Sequence, residues 1–180
     1  VYIPRTIIVS QEEAIIKAVK DYSPAVVSIV ISKDVPILEQ FPQFRQKGTE
    51  KQQIGGGSGF IISPEGMVLT NKHVVQDKEA DYTVLTNDGK KFLAKVLALD
   101  PAQDLAILKI DQEKNVNKDG GLTVKTFSTV KLGDSDGLQI GQTVIAIGNA
   151  LAEFQNTVSV GVISGLGRTI TASGGGIVET

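Results

Sequence analysis

The sequence has no cysteine, one histidine and one methionine, Met67. Without cysteine there are no disulfides and no thiolate metal sites, and the redox compartment cannot be read. One imidazole with no thiolate gives no zinc site, and no metal or organic cofactor is expected. A dominant charge sign is missing too. The formal net charge of −2 implies no surface for a polyanion, so nucleic acid is not an expected partner. Long apolar runs are also missing. The longest, Ala25–Ile31, is interrupted by Ser28 and is far too short to span a bilayer, so this chain itself is expected to make no membrane contact. A first residue of Val1 suggests a processed or trimmed chain, with any signal or membrane anchor upstream. What is present is 180 residues, 41% hydrophobic and 21% charged, which is ordinary for a globular protein with a real core.

Residues 10–22, SQEEAIIKAVKDY, predict a helix. Ser10 caps it, Glu13 completes a capping box, and Ala14, Ile15, Ala18 and Val19 share one apolar face. Ser23-Pro24 ends it, and Ala25–Ile31 reads as a first strand. Residues 32–54 carry Pro36, Pro42 and Gly48 among polar residues with no clear period, and read as a long loop. Phe60–Ile62 and Met67–Leu69 flank the turn Ser63-Pro64-Glu65-Gly66. Asp81–Thr86 and Phe92–Leu99 flank Asn87-Asp88-Gly89, and Asp104–Ile110 alternates again. About six strands with no long helix between them fit a small antiparallel barrel. Residues 111–127 are polar and read as a crossover. Val130–Gly133, Thr143–Ile147 and Thr157–Ile163 then begin a second unit.

The strongest chemical signal is His73, just past the end of a predicted hairpin strand, where a side chain can face a cleft. An imidazole can serve as general base and then acid; a hydrogen-bonded structural histidine is the bland alternative. Asp104 at the mouth of DLAILKI could hold the tautomer of that histidine. Weaker signals fail. Asp134-Ser135-Asp136-Gly137 lacks the spacing of a calcium loop and has Ile145 where a glutamate is needed. Gly165-Leu166-Gly167 lacks the third glycine of a dinucleotide fingerprint. Lys90 and Lys91 follow a turn and read as a solvated hairpin end.

The blocks GSGFII, LTNKHVV, DLAILKI, LGDSDGLQIGQTVIAIGN and TVSVGVISGLGR, in this order, resemble the HtrA/DegP family of trypsin-like serine proteases from about Ser23 to about Arg168. The resemblance implies an all-β, trypsin-like double antiparallel β-barrel with an N-terminal helix. Residues 1–23 would be the helical segment, 24–112 a complete first barrel, 113–129 the crossover linker and 130–180 a partial second barrel. It implies an ATP-independent serine endopeptidase that degrades unfolded or misfolded proteins, with His73 as general base and Asp104 as its orienting carboxylate. Arg168 would transmit activation from a regulatory loop at 169–179. It further implies peptide substrates, a homo-oligomer (a trimer in the family), and an extracytoplasmic or periplasmic location with an anchor, if any, upstream.

One feature of the family pattern is absent. Its nucleophilic serine lies in a Gly-Asn-Ser-Gly-Gly block whose backbone N–H groups form the oxyanion hole. Gly56-Gly57-Ser58-Gly59 precedes His73 and matches the entry strand of the first hairpin instead, while Ser173-Gly174-Gly175-Gly176 lacks the glycine two places before the serine. The nucleophile is therefore expected beyond Thr180, and this chain alone is expected to be inactive. The alternative is a non-catalytic protein-binding or chaperone-like module on a protease fold.

Overall fold

The computed structural model describes residues 10–40, 44–112, 115–116, 122–123, 125–148 and 157–167. It opens with helix α1 (Gln11–Tyr22), capped reciprocally. The Glu13 amide donates to Ser10 Oγ at 3.1 Å, and the Ser10 amide donates to the Glu13 carboxylate at 3.0 Å. Glu12 and Glu13 in the first turn and Lys20 in the last suit the helix dipole. Ile15, Ala18 and Val19 are half-buried, while Ala14 is exposed. A 3-10 turn over Ser23–Ala25 with Pro24 leads into the sheet.

Six antiparallel strands close a barrel in the order β1-β2-β3-β6-β5-β4. They are β1 (Val26–Gln40), β2 (Phe44–Ile61), β3 (Met67–Thr70), β4 (Asp81–Leu85), β5 (Lys91–Leu99) and β6 (Ala106–Ile110). Alternation decides which side chains fill it: in β6, Ala106, Leu108 and Ile110 point inward, and Ile107 and Lys109 are less buried. Val27, Ile29, Ile61, Val68 and Val84 complete the centre, each fully buried. Burial of a side chain of this kind stabilises the fold by about 1.5–3 kcal/mol.

Within 32–54, predicted as a loop from its composition, residues 32–40 and 44–54 are strand instead. β1 and β2 continue past the barrel as a paired ribbon, from Ser32 opposite Gln53 to Gln40 opposite Phe44, with register shifts after Ile31 and Ile37. Where side chains are described, this ribbon is largely solvent-facing, so no apolar alternation was needed, and backbone pairing can form without it. Its base is tied down by Lys33 to Asp77 at 3.1 Å and Glu79 at 2.8 Å, and by Lys51 to Asp81 at 2.5 Å.

The crossover is partly docked. β7 (Asn115–Val116) and β8 (Leu122–Thr123) form a minimal pair, after which residues 125–130 lie against the barrel. Phe127 is buried beside Ile110 and meets Phe92 edge-to-face with centroids 5.4 Å apart. Lys125 Nζ stands 4.7 Å from the Phe92 ring and 5.1 Å from that of Phe127. The Phe127 amide donates to Pro64 O at 3.1 Å, and the Val130 amide to Ile61 O at 3.0 Å. Val130–Gly133, expected to open the second unit, is irregular chain that the Val130 amide ties to the first barrel.

Apart from the barrel, β9 (Thr143–Gly148) and β10 (Thr157–Val162) form a separate antiparallel pair, where a second unit is expected. Ile145 and Ile147 face the same side as Val158, Val160 and Val162. A groove of about 490 Å³ separates this pair from the barrel, bordered by Ala18, Tyr22, Val26, Phe60, Ile145 and Ile147. α1 is tied to β9, since Gln11 Nε2 donates to Thr143 Oγ1 at 3.2 Å. Among the described residues no helix is long and apolar enough to cross a membrane.

Candidate active site

β3 and β6 are neighbours, with Thr70 opposite Ala106. The chain leaving β3 and the chain entering β6 therefore emerge at one end of the barrel, side by side. After Thr70 it turns through a single 3-10 turn, Lys72–Val74, which carries His73. The chain entering β6 is shaped by Asp100, whose Oδ1 accepts the amides of Ala102 at 2.8 Å and Gln103 at 2.7 Å. Those two bonds, Gln103 foremost, hold the Asp100 carboxyl below its ordinary range. The turn delivers Asp104 directly beneath His73.

Both oxygens of Asp104 are engaged by the same residue. Oδ2 lies 2.5 Å from His73 Nδ1, and Oδ1 accepts the His73 backbone amide at 2.9 Å. The neighbouring backbone is clamped as well. Lys72 N–H and Asn71 Nδ2 both donate to Asp104 O at 3.2 Å, and Lys72 Nζ donates to Asp100 O at 2.9 Å. The Asp104 side chain is 7% exposed and the His73 side chain 56%. Burial is the largest single influence on Asp104 and pushes its carboxyl up. The bonds from the His73 amide and ring, the imidazole charge and Asn71 together outweigh it, and the group is held below the usual carboxylate range.

This arrangement has a defined chemical capacity. A carboxylate facing Nδ1 places the ring proton there and leaves Nε2 as the acceptor on the exposed side of the imidazole. A proton taken up at Nε2 creates an imidazolium that the buried carboxylate stabilises. Among the described residues no group of three or more histidine, cysteine and acidic side chains is arranged to hold a metal ion.

Of the residues singled out from the sequence, His73 and Asp104 are brought into contact. Ser58 lies within β2, where its carbonyl accepts the Thr70 hydroxyl at 2.8 Å. Arg168, the loop at 169–179 and Ser173 lie outside the described residues. Sequence reasoning missed Asn71 and Lys72, which secure the Asp104 backbone. Their only signal was adjacency to His73 in LTNKHVV.

A family profile described as a trypsin-like peptidase domain matches residues 57–180. A "Probable periplasmic serine endoprotease DegP-like" of Chlamydia trachomatis is 45% identical over 123 residues, covering 68% of this chain and 22% of the relative. A protein of the same description from Brucella melitensis is 32% identical over 203 residues, covering 90% of this chain and 37% of its own length. Among solved structures, the HtrA-type protease AlgW with a decapeptide superposes with a TM-score of 0.63 at 32% identity, covering 84% of this chain and 45% of that one. The chain thus spans less than half the length of each of these relatives.

Proposed function

This chain belongs to the HtrA-type trypsin-like serine proteases, and on that premise we propose that it carries the proton-transfer half of an ATP-independent endopeptidase acting on unfolded or misfolded proteins. His73 is the general base that takes the proton of an attacking hydroxyl at Nε2 and returns it to the leaving amine. Asp104 fixes the tautomer and stabilises the imidazolium. The contact between His73 Nδ1 and Asp104 Oδ2, doubled by the amide bond to Oδ1, is the observation that carries this reading.

The serine and its oxyanion hole are supplied, on this reading, by sequence beyond the 180 residues, because no Gly-Asn-Ser-Gly-Gly block occurs within them. Arg168 couples an activating signal to that loop, as the family resemblance implies. The periplasmic description of the relatives supports an extracytoplasmic location, and the decapeptide in the AlgW title supports peptide substrates. A homo-oligomer, a trimer by resemblance, is part of the same proposal.

Casein hydrolysis by the full-length protein tests it. His73→Ala is expected to lower the rate by roughly 10⁶-fold while the variant still folds cooperatively. Asp104→Asn is expected to cost about 10⁴-fold, as tautomer loss does in a related triad. Near-normal hydrolysis by either variant would sink the assignment. The 180-residue chain by itself is expected not to cleave casein; turnover by it would show that a serine within residues 1–180 serves as nucleophile.

A further inference from the structure

The glycine run of β2 is not uniform in its surroundings. A methyl group on Gly57 would stand 2.6 and 2.7 Å from the two γ-carbons of Val74, and 3.3 Å from its Cβ. The first two distances are far inside van der Waals contact. The same methyl on Gly55 would meet only Ile31 Cδ1, at an ordinary 3.4 Å. Val74 directly follows His73, is buried, and belongs to the barrel's core cluster.

We infer that Gly57 is a positioning residue for His73: its bare Cα lets the turn Lys72–Val74 lie flat on β2, which sets the His73 amide and ring against the two oxygens of Asp104. Val74 is β-branched, so its two γ-carbons cannot both swing clear of a new side chain. The turn around it is stiff, with the Val74 amide bonded to Asn71 O at 3.2 Å and the Val75 amide to Lys72 O at 3.0 Å. Gly57 is paired with Ile29 of β1, and β2 is held by β3 as well from Gly59 onward. A side chain at position 57 therefore lifts the turn as a body, and His73 moves with it, away from a carboxylate fixed by its own entry turn. As a statement about rate, this rests on His73 acting as the proposed general base; as a statement about geometry, it does not.

Two measurements separate these. Gly57→Ala in the full-length protein is expected to lower kcat for a peptide substrate by about 10²-fold, the order expected for a displacement near 1 Å, with KM little changed. Gly55→Ala removes a glycine from the same strand and is expected to leave both constants near their original values. Gly57→Ala/Val74→Ala, which removes both clashing γ-carbons and leaves only the 3.3 Å approach, is expected to recover most of the lost kcat.

Histidine-selective isotope labelling of the 180-residue chain reports His73 alone, because there is no second imidazole. A low-field Nδ1 proton bonded to the Asp104 carboxylate is expected in the parent chain, lost in Gly57→Ala and restored in the double variant. If Gly57→Ala keeps that proton and its kcat, or if Val74→Ala restores neither, the positioning role is refuted while the proposed function stands. Absence of the proton from the parent chain would overturn both. If Gly57→Ala fails to fold, the decision passes to the other variants. Refolding with Val74→Ala supports the inference, and equal misfolding of Gly55→Ala refutes it.

Discussion

β6 and β10 are both short strands rich in branched aliphatic residues, and they have opposite fates. β6, AILKI, buries Leu108 completely, with Ile110 at 1% exposure. β10, TVSVGV, alternates as regularly, yet Val160 is 50% and Val162 59% exposed. Alternation of branched residues makes a strand with one apolar face, but burial needs strands on both sides and a closed circuit. β6 lies between β3 and β5 in a closed barrel, whereas β10 has only β9 beside it among the described residues.

The sharpest way to break that comparison is to truncate matched side chains. Leu108→Ala is expected to destabilise the chain by about 2–5 kcal/mol in urea unfolding, through lost transfer energy and the cavity left behind. Val160→Ala is expected to change stability by no more than about 0.5 kcal/mol, since it removes little from the core. Equal losses at the two sites would mean that the β9–β10 face is covered in solution.

A smaller contrast comes from two glycines with left-handed backbones. Gly66 has φ +85°, and a methyl on it would meet Phe127 at 3.0 Å and Ile110 at 3.1 Å. Gly141 has φ +89° and open space around it. Each Gly→Ala change carries a conformational cost of about 1–2 kcal/mol. Gly66→Ala should add about 1–3 kcal/mol of overpacking against the docked linker. Denaturant midpoints of the two variants measure the difference; indistinguishable midpoints would show that Phe127 does not pack there.

The smallest effect concerns acid. Asp134 and Asp136, beyond the barrel, are exposed, but the barrel's Asp104 is buried and bound to His73. Its folded pKa lies below the ordinary aspartate value of 3.8, so the unfolded chain takes up this proton first as pH falls. The contribution of Asp104 to stability is therefore complete above that value and is lost as pH drops through the folded pKa. Asp104→Asn is expected to flatten the pH dependence of unfolding between about pH 4 and the folded value. An unaltered slope would remove Asp104 from the account.

The sequence showed the barrel wherever burial constrained it. Alternation at Asp81–Thr86 and Asp104–Ile110, and turn residues at Ser63–Gly66 and Asn87–Gly89, place strands close to their observed limits. It failed where burial imposed nothing. The outer β1–β2 ribbon is paired through its backbone and left no periodic trace. Phe127 is a lone aromatic in a polar stretch, and only the fold shows that it docks against Phe92 and Ile110. The His73–Asp104 pair was suggested by residue order and by resemblance, because contact between residues 31 positions apart has no local signature. The close approach of Gly57 to Val74 was hidden for the same reason, inside a glycine run whose members look alike in sequence.

The Thr70–Ala106 rung has a further consequence, for fidelity of assembly. His73 lies three residues beyond one end of that rung and Asp104 two residues before the other. A slip of β6 by one residue would turn Ala106, Leu108 and Ile110 outward and put Ile107 and Lys109 in the core. The same slip would shift Asp104 along the strand direction by about 3.4 Å, beyond hydrogen-bond reach of the imidazole. Core register and site register are thus a single variable. The penalty for exposing two large aliphatic residues and burying a lysine works as a proofreading step for the His73–Asp104 contact, the pair proposed to transfer the proton, so a barrel that has closed correctly has already checked that contact.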